Sequence, residues 1–150
     1  MKLNLTTTMA LVAAPLVLLG GVLVSTTTAG ADQSRRCSNQ TLYGSYGFAI
    51  TGVILGPNLE LRGLAMQRYD GHGNITQVDH IVENGIPREP EWTAGTGRYH
   101  VNQDCTGSAV LTTPGNPFPV QLHFVVVNQG REIDQVVDGN PVTAVGKKVD

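Results

Sequence analysis

Residues 59–83 read LELRGLAMQRYDGHGNITQVDHIVE and contain two extended runs, 59–69 and 75–83, joined by a short polar connection. The second run is rich in Ile, Val and Thr, the residue types that favour β-strands. The glycines of the DGHGN connection supply the positive φ angles that a tight turn requires. The stretch therefore predicts an antiparallel β-hairpin.

The same succession of an extended run and a turn signal continues along the chain, with connections mostly of two to five residues. Such connections are too short for parallel crossovers, and a long meander removes its exposed edges only by closing. We therefore expect an eight-stranded antiparallel up-and-down barrel, with a two-sheet sandwich as the alternative because strand count alone does not distinguish them. The predicted strands are 44–55, 59–69, 75–83, 95–101, 107–112, 120–127, 131–138 and 142–149.

The composition of residues 32–150 supports an all-β domain. This part of the chain holds 14 Val, 6 Ile and 9 Thr against 5 Ala and 7 Leu, which excludes a helical bundle. It carries nine Lys and Arg against twelve Asp and Glu, and the basic residues form no stripe. A nucleic-acid partner is therefore disfavoured, because phosphate binding requires clustered positive charge.

The first 31 residues have the features of a secretory signal peptide. Lys2 precedes an apolar run at 9–24, and the small residues of 25–31 end in an A-x-A cleavage pattern. A membrane anchor is the alternative, but the run is short and is broken by Pro15. We expect cleavage before Asp32, a single barrel domain at 32–150, a secreted or periplasmic location, and no membrane span after cleavage.

The chain contains two cysteines, Cys37 and Cys105. In an oxidising compartment their expected state is one disulfide, which in the chain-entropy model stabilises the fold by about 4 kcal/mol. The sequence has no CxxC motif for redox exchange, and two cysteines alone do not complete a structural zinc site.

The chain contains four distinctive segments: CSNQTLYGSYGF at 37–48, YDGHGN at 69–74, YHVNQDCTG at 99–107 and GREI at 130–133. Together they resemble a family of small secreted bacterial proteins of unknown function. The family is similar in expected shape to the allene oxide cyclase and calycin-type barrels, and the resemblance implies this fold, export and a bridge between Cys37 and Cys105. It implies no reaction, because no stretch matches the catalytic residues of allene oxide cyclases.

Alternation along each strand predicts which side chains face the interior. We take the parity of Tyr46, Phe48 and Ile50 as inward and choose the more apolar parity of every later strand. The later residues expected inside are Ala65, Gln67, Tyr69, Val78, His80, Val82, Tyr99, Val101, Leu122, Phe124, Val126, Ile133, Gln135 and Val137. The polar members of the set would orient a ligand, so we predict a binding site formed by Tyr46, Gln67, His80, Tyr99 and Gln135.

An eight-stranded barrel is wide enough either to fill with side chains or to hold one small ligand. Two functions therefore stay open: binding of a small apolar molecule, and a structural or interaction role for a filled barrel that contacts the envelope or another copy of itself. A cyclase or isomerase is a third option. We predict no catalytic residues, metal ligands or cofactor, because the sequence has no GxSxG elbow and its four histidines lie on separate segments.

Overall fold

The computed structural model describes residues 36–114 and 116–149, so the predicted signal peptide lies outside the described residues. Short 3-10 helices occupy Asn39–Leu42 and Asn128–Gly130. The strands are β1 (Gly44–Ile54), β2 (Leu59–Tyr69), β3 (Asn74–Glu83), β4 (Ile86–Pro87), β5 (Thr93–Val101), β6 (Thr106–Thr112), β7 (Val120–Val127), β8 (Glu132–Val137) and β9 (Val142–Lys148).

Eight of these strands form a closed antiparallel barrel. Successive long strands pair with each other, and β1 also pairs with β9, so the sheet closes into a ring. The eight-stranded barrel prediction is confirmed, and the sandwich alternative is excluded. The ninth strand, β4, is a two-residue extension that pairs only with the end of β3, through Val82 with Pro87 and Glu83 with Ile86.

The turn between β2 and β3 is held by Asp70. Its carboxylate accepts hydrogen bonds from the backbone N–H groups of His72 at 2.7 Å and Asn74 at 2.9 Å, and from the Asn74 side chain. These bonds, those of Asn74 first, lower the pKa of Asp70 to about 2. The turn pairs Tyr69 with Ile75, and this register decides which face of β3 is inside.

The predicted orientation of β3 is wrong. Directly paired residues of antiparallel strands share a face of the sheet, so the buried Tyr69 places Ile75 inside the barrel. Val78 is 40% exposed on the outer face, and His80 lies on that face beside the Trp92 ring, 5.7 Å away between centroids. The more apolar parity of β3, which includes Val82, therefore faces outward.

The barrel interior is filled by pairing large residues with glycines. A Cβ atom on Gly146 would overlap the ring of Phe48, and one on Gly107 would overlap the ring of Phe124. In an eight-stranded barrel such alternation of large and small residues lets the inward side chains fit. The glycines and their cross-strand partners are Gly52 with Val142, Gly63 with Ile81, Gly95 with Gln77, Gly97 with Leu111, Gly107 with Phe124, and Gly146 with Phe48.

One end of the barrel is closed by the segment before β1. Leu42 has no exposed surface, and the backbone carbonyl of Asn39 accepts a hydrogen bond from the Tyr99 hydroxyl at 2.9 Å. The Asn39 side chain accepts a second bond from the backbone N–H of Val101 at 2.8 Å. The segment is therefore fixed to β5 by both backbone and side-chain contacts.

The predicted disulfide is present. Cys37 and Cys105 are bonded, with their Cα atoms 5.0 Å apart, which attaches the closing segment to the β5–β6 connection. Such a bond is compatible with an extracellular or periplasmic protein.

We predict that Gly146→Ala lowers the free energy of unfolding by about 1–3 kcal/mol, because the added methyl overpacks the Phe48 ring. Denaturant unfolding measures the effect. Adding Phe48→Leu should make the combined loss smaller than the sum of the two single losses. Gly47→Ala is the control, since its Cβ would meet only Val149 at 3.6 Å. Equal stability of the Gly146 and Gly47 variants would contradict tight packing.

We also predict that Cys105→Ser costs about 2–5 kcal/mol of stability, because the closing segment loses its covalent attachment. Thermal unfolding with and without reductant checks this. Reductant should destabilise the wild type and leave the variant unchanged, whereas a wild type that is insensitive to reductant would contradict a stabilising role for the bond.

Candidate binding site at the open end of the barrel

The interior becomes accessible at the end of the barrel opposite the closing segment. Because the strands alternate in direction, the ends of β1, β3 and β8 meet the start of β7 there. Along β3, Ile75 is 1% exposed and Gln77 is 8% exposed, while Asp79 and Ile81 are only partly buried. We call this open end the mouth and define it by five inward-facing, partly buried residues: Ile50, Asp79, Ile81, Val120 and Val137.

A chain of side-chain hydrogen bonds runs from the buried core to the mouth. The Tyr69 hydroxyl donates to Gln67 Oε1 at 2.6 Å, and Gln67 Nε2 donates to Gln77 Oε1 at 3.0 Å. Gln77 Nε2 then donates to Asp79 Oδ2 at 2.7 Å. Burial raises the pKa of Tyr69, so its hydroxyl stays protonated and acts as the donor that starts the chain. The chain fixes the orientation of both amides and ends on the carboxylate.

Asp79 is a half-buried acid on the inner face of β3. Burial raises the pKa of its carboxyl group, and the nearby positive charge of Arg88 and then the charge of His80 oppose this shift. Within the described chain, Arg88 forms its ion pair with Glu83 and none with Asp79. The carboxylate therefore has little compensation for its burial.

Gln135 on β8 is a second polar group inside the barrel. It is paired across the sheet with Phe124 and Ala144, both buried, which places it on the inner face. Its Oε1 atom is buried and is the one buried side-chain nitrogen or oxygen atom in the described chain with no hydrogen-bond partner. An unsatisfied acceptor of this kind costs about 1–3 kcal/mol, and a ligand with a donor group would recover that cost.

The structure separates the five residues predicted as a binding site. Tyr46 and Tyr99 lie inside, but at the closed end, where their hydroxyls donate to the carbonyls of Gly130 and Asn39. Gln67 is buried within the hydrogen-bonded chain, and Gln135 faces the interior with its unpaired oxygen. His80 lies outside the barrel, where its Nδ1 contacts the carbonyl of Glu91, so it does not face an interior ligand.

The sequence interpretation missed Gln77 and Asp79, because β3 has a polar inner face and an apolar outer face. Ranking the two faces by hydrophobicity selects the wrong one. The turn contains the signal that would have found them: a connection limited to residues 70–74 makes Tyr69 and Ile75 partners, and every second residue after Ile75 then faces inward.

A separate groove of about 620 Å³ lies on the outer face of strands β5 to β9. Its apolar part includes Val125, Val136 and Val145, which are 41–42% exposed. His123, at its border, forms a 2.8 Å contact with Asp138, and both side chains are well exposed. Such an exposed pair contributes little to stability, so this surface is defined mainly by its valines.

Among residues 36–114 and 116–149, no three His, Cys, Asp or Glu side chains come together as a metal site requires. Over the same residues, no helix has the length and hydrophobicity to cross a membrane. Comparisons of the chain with protein-family models, with curated proteins and with solved structures find no match.

We predict that Asp79→Asn makes the protein slightly more stable at pH 7. The amide removes a buried charge and keeps an oxygen that accepts the bond from Gln77. Because the pKa of Asp79 is raised on folding, wild-type stability falls as pH rises through the folded-state pKa. The gain should therefore disappear in acid, where the carboxyl is protonated in both states. Urea unfolding from pH 3 to pH 8 measures it.

Asp104→Asn is the control, for which we expect the opposite change in stability at pH 7. Hydrogen bonds from Thr106 lower the pKa of Asp104, so its stabilising contribution is present above the ordinary Asp range and is lost as pH falls. This variant should be less stable than the wild type at pH 7. A loss of stability in Asp79→Asn at pH 7 would contradict our description of Asp79.

Proposed function

We propose that this protein is a secreted or periplasmic barrel that binds a small, mostly apolar molecule at its mouth. The observation that supports this most is the presence of two acceptors on the inner face, the half-buried Asp79 carboxylate and the unpaired Gln135 oxygen. Burying such groups without partners destabilises the fold. Natural small-molecule sites have this composition, an apolar lining with a few polar groups that orient the ligand.

The apolar part of the ligand would contact Ile50, Val120 and Val137. These side chains pack on the core and remain partly exposed, so a ligand covering them removes apolar surface from water at about 25 cal/mol per Å². Ile50 lies beside Ile81 over Gly63, so the two isoleucines form one continuous apolar surface at the mouth.

The alternative function, a structural or interaction protein with a filled core, describes the closed half of the barrel well. Tyr46, Tyr69 and Tyr99 pack there edge to face, with ring centroids 5.4 and 4.9 Å apart. Under our proposal this packed half serves the site, because it holds the strands of the mouth in fixed positions and so preorganises the binding groups.

The outer groove is the second candidate location for a ligand, favoured by its volume of about 620 Å³ and its valine lining. Gln135, whose oxygen lacks a partner, also borders this groove, so the inward-facing Asp79 carboxylate is the polar group that distinguishes the mouth. Neighbouring residues of β8 distinguish the two sites: Val137 faces the mouth and Val136 lines the groove.

We predict that Val137→Trp weakens binding of 1-octanol, a neutral apolar probe, by about tenfold or more, because the indole occupies the mouth. Val136→Trp should leave the affinity unchanged. Titration calorimetry measures binding, and unfolding curves confirm that each variant is folded. Val120→Phe is a milder blocking variant if Val137→Trp does not fold.

The opposite pattern, with Val136→Trp blocking binding, would move the site to the outer groove. Failure of the wild type to bind 1-octanol, together with native mass spectra showing no molecule that co-purifies with the secreted protein, would reject the proposed function.

A further inference from the structure

The hydrogen-bonded chain inside the barrel has a direction. Each of its bonds is donated toward the Asp79 end of the chain, from Tyr69 to Gln67, from Gln67 to Gln77, and from Gln77 to Asp79. An ionised carboxylate has no donor of its own and accepts about four hydrogen bonds. The chain therefore ends at a group that can only accept.

Most of the accepting capacity of Asp79 is unused. Within the described chain, Oδ2 receives the bond from Gln77 at 2.7 Å, and no hydrogen bond reaches Oδ1. The Oδ1 atom is also not among the buried atoms without a partner, and the residue is only partly buried, so a molecule entering the mouth can reach it.

Arg88 and His80 are close enough for their charges to act on Asp79, but neither forms an ion pair with it in the described chain. On the β3–β4 side, Arg88 pairs with Glu83, and His80 on the same strand projects outward. The residues paired with Asp79 on the neighbouring strands, Ala65 on β2 and Thr93 on β5, are uncharged. A carboxylate in this position attracts a cation more strongly than one in water would, because solvent screening is reduced.

We propose, on the basis of the binding function above, that the ligand carries an ammonium group that donates to Asp79 Oδ1, with an aliphatic portion on Ile50, Val120 and Val137. An ammonium group has several N–H donors and no acceptor, so it is complementary to a carboxylate oxygen that can only accept. A carboxylate or phosphate would instead be repelled by Asp79. The ligand class is therefore an aliphatic amine.

Three probes with the same alkyl chain test this inference: n-octylamine, 1-octanol and sodium octanoate, titrated into the wild-type protein at pH 7. A charge-assisted hydrogen bond to Asp79 should make n-octylamine bind about tenfold or more tightly than 1-octanol, with octanoate the weakest. In Asp79→Asn, the preference should disappear, so that n-octylamine binds no more tightly than 1-octanol does to the same variant.

Asp134→Asn is the matched control, because Asp134 is a carboxylate on β8 that lines the outer groove rather than the mouth. It should change none of the three affinities. If Asp79→Asn does not fold, the pH profile of the wild type replaces it: n-octylamine affinity should rise as Asp79 ionises, and 1-octanol affinity should stay level.

The outcomes separate the two proposals. If none of the probes binds, the proposed function fails. If 1-octanol or octanoate binds as tightly as n-octylamine, or if Asp79→Asn keeps the preference for the amine, the mouth binds apolar molecules but the inference about an ammonium group is wrong. If Asp134→Asn removes the preference, the amine binds in the outer groove and the inference is again wrong.

Discussion

The pairing of β1 with β9 is the interaction on which the rest of this structure depends. Seven residue pairs, from Tyr46 with Lys148 to Gly52 with Val142, join the first strand of the barrel to the last. Without them, β1 and β9 would each expose a row of unpaired backbone groups, a template for aggregation. Closure also fixes the interior width, so every inward side chain must fit the space left by its neighbours. The glycines opposite Phe48 and Phe124 are a direct result of that limit.

The same limit explains why the two ends of the barrel differ. At the closed end, three tyrosines and Leu42 occupy the interior. The hydroxyls of Tyr46 and Tyr99 donate to backbone carbonyls, and that of Tyr69 donates to a side-chain amide. Toward the mouth, amides and a carboxylate replace the rings. A hydrogen-bonded chain joins the two regions, so the Asp79 carboxylate is connected to Tyr69, a residue with 1% of its surface exposed. The rigid half thus sets the geometry of the accessible half.

Much of the fold could be predicted from the sequence, since turn residues and β-branched runs are local signals. All eight barrel strands were expected within a few residues of their observed ends, and the disulfide follows from the presence of two cysteines. The two-residue β4 was not expected, because so short an element carries no periodicity. The inner face of β3 was assigned wrongly, because it was chosen by hydrophobicity whereas the register of the β2–β3 turn decides which side chains face inward. Asp79 and Gln77 were therefore missed. A strand whose inner face is the more polar one breaks the ordinary rule, and such exceptions are expected at functional sites.

Because β4 is weakly attached, its sequence can change without changing the barrel. This strand is joined to β3 by two residue pairs, lies outside the closed ring, and leads directly to Arg88. Substitutions or insertions here alter the charges and the shape at the rim without breaking the pairing of any two barrel strands. Evolved variants could therefore differ in what they recognise and keep the same stability. A protein engineer could likewise replace the segment between β3 and β5 without changing the barrel strands.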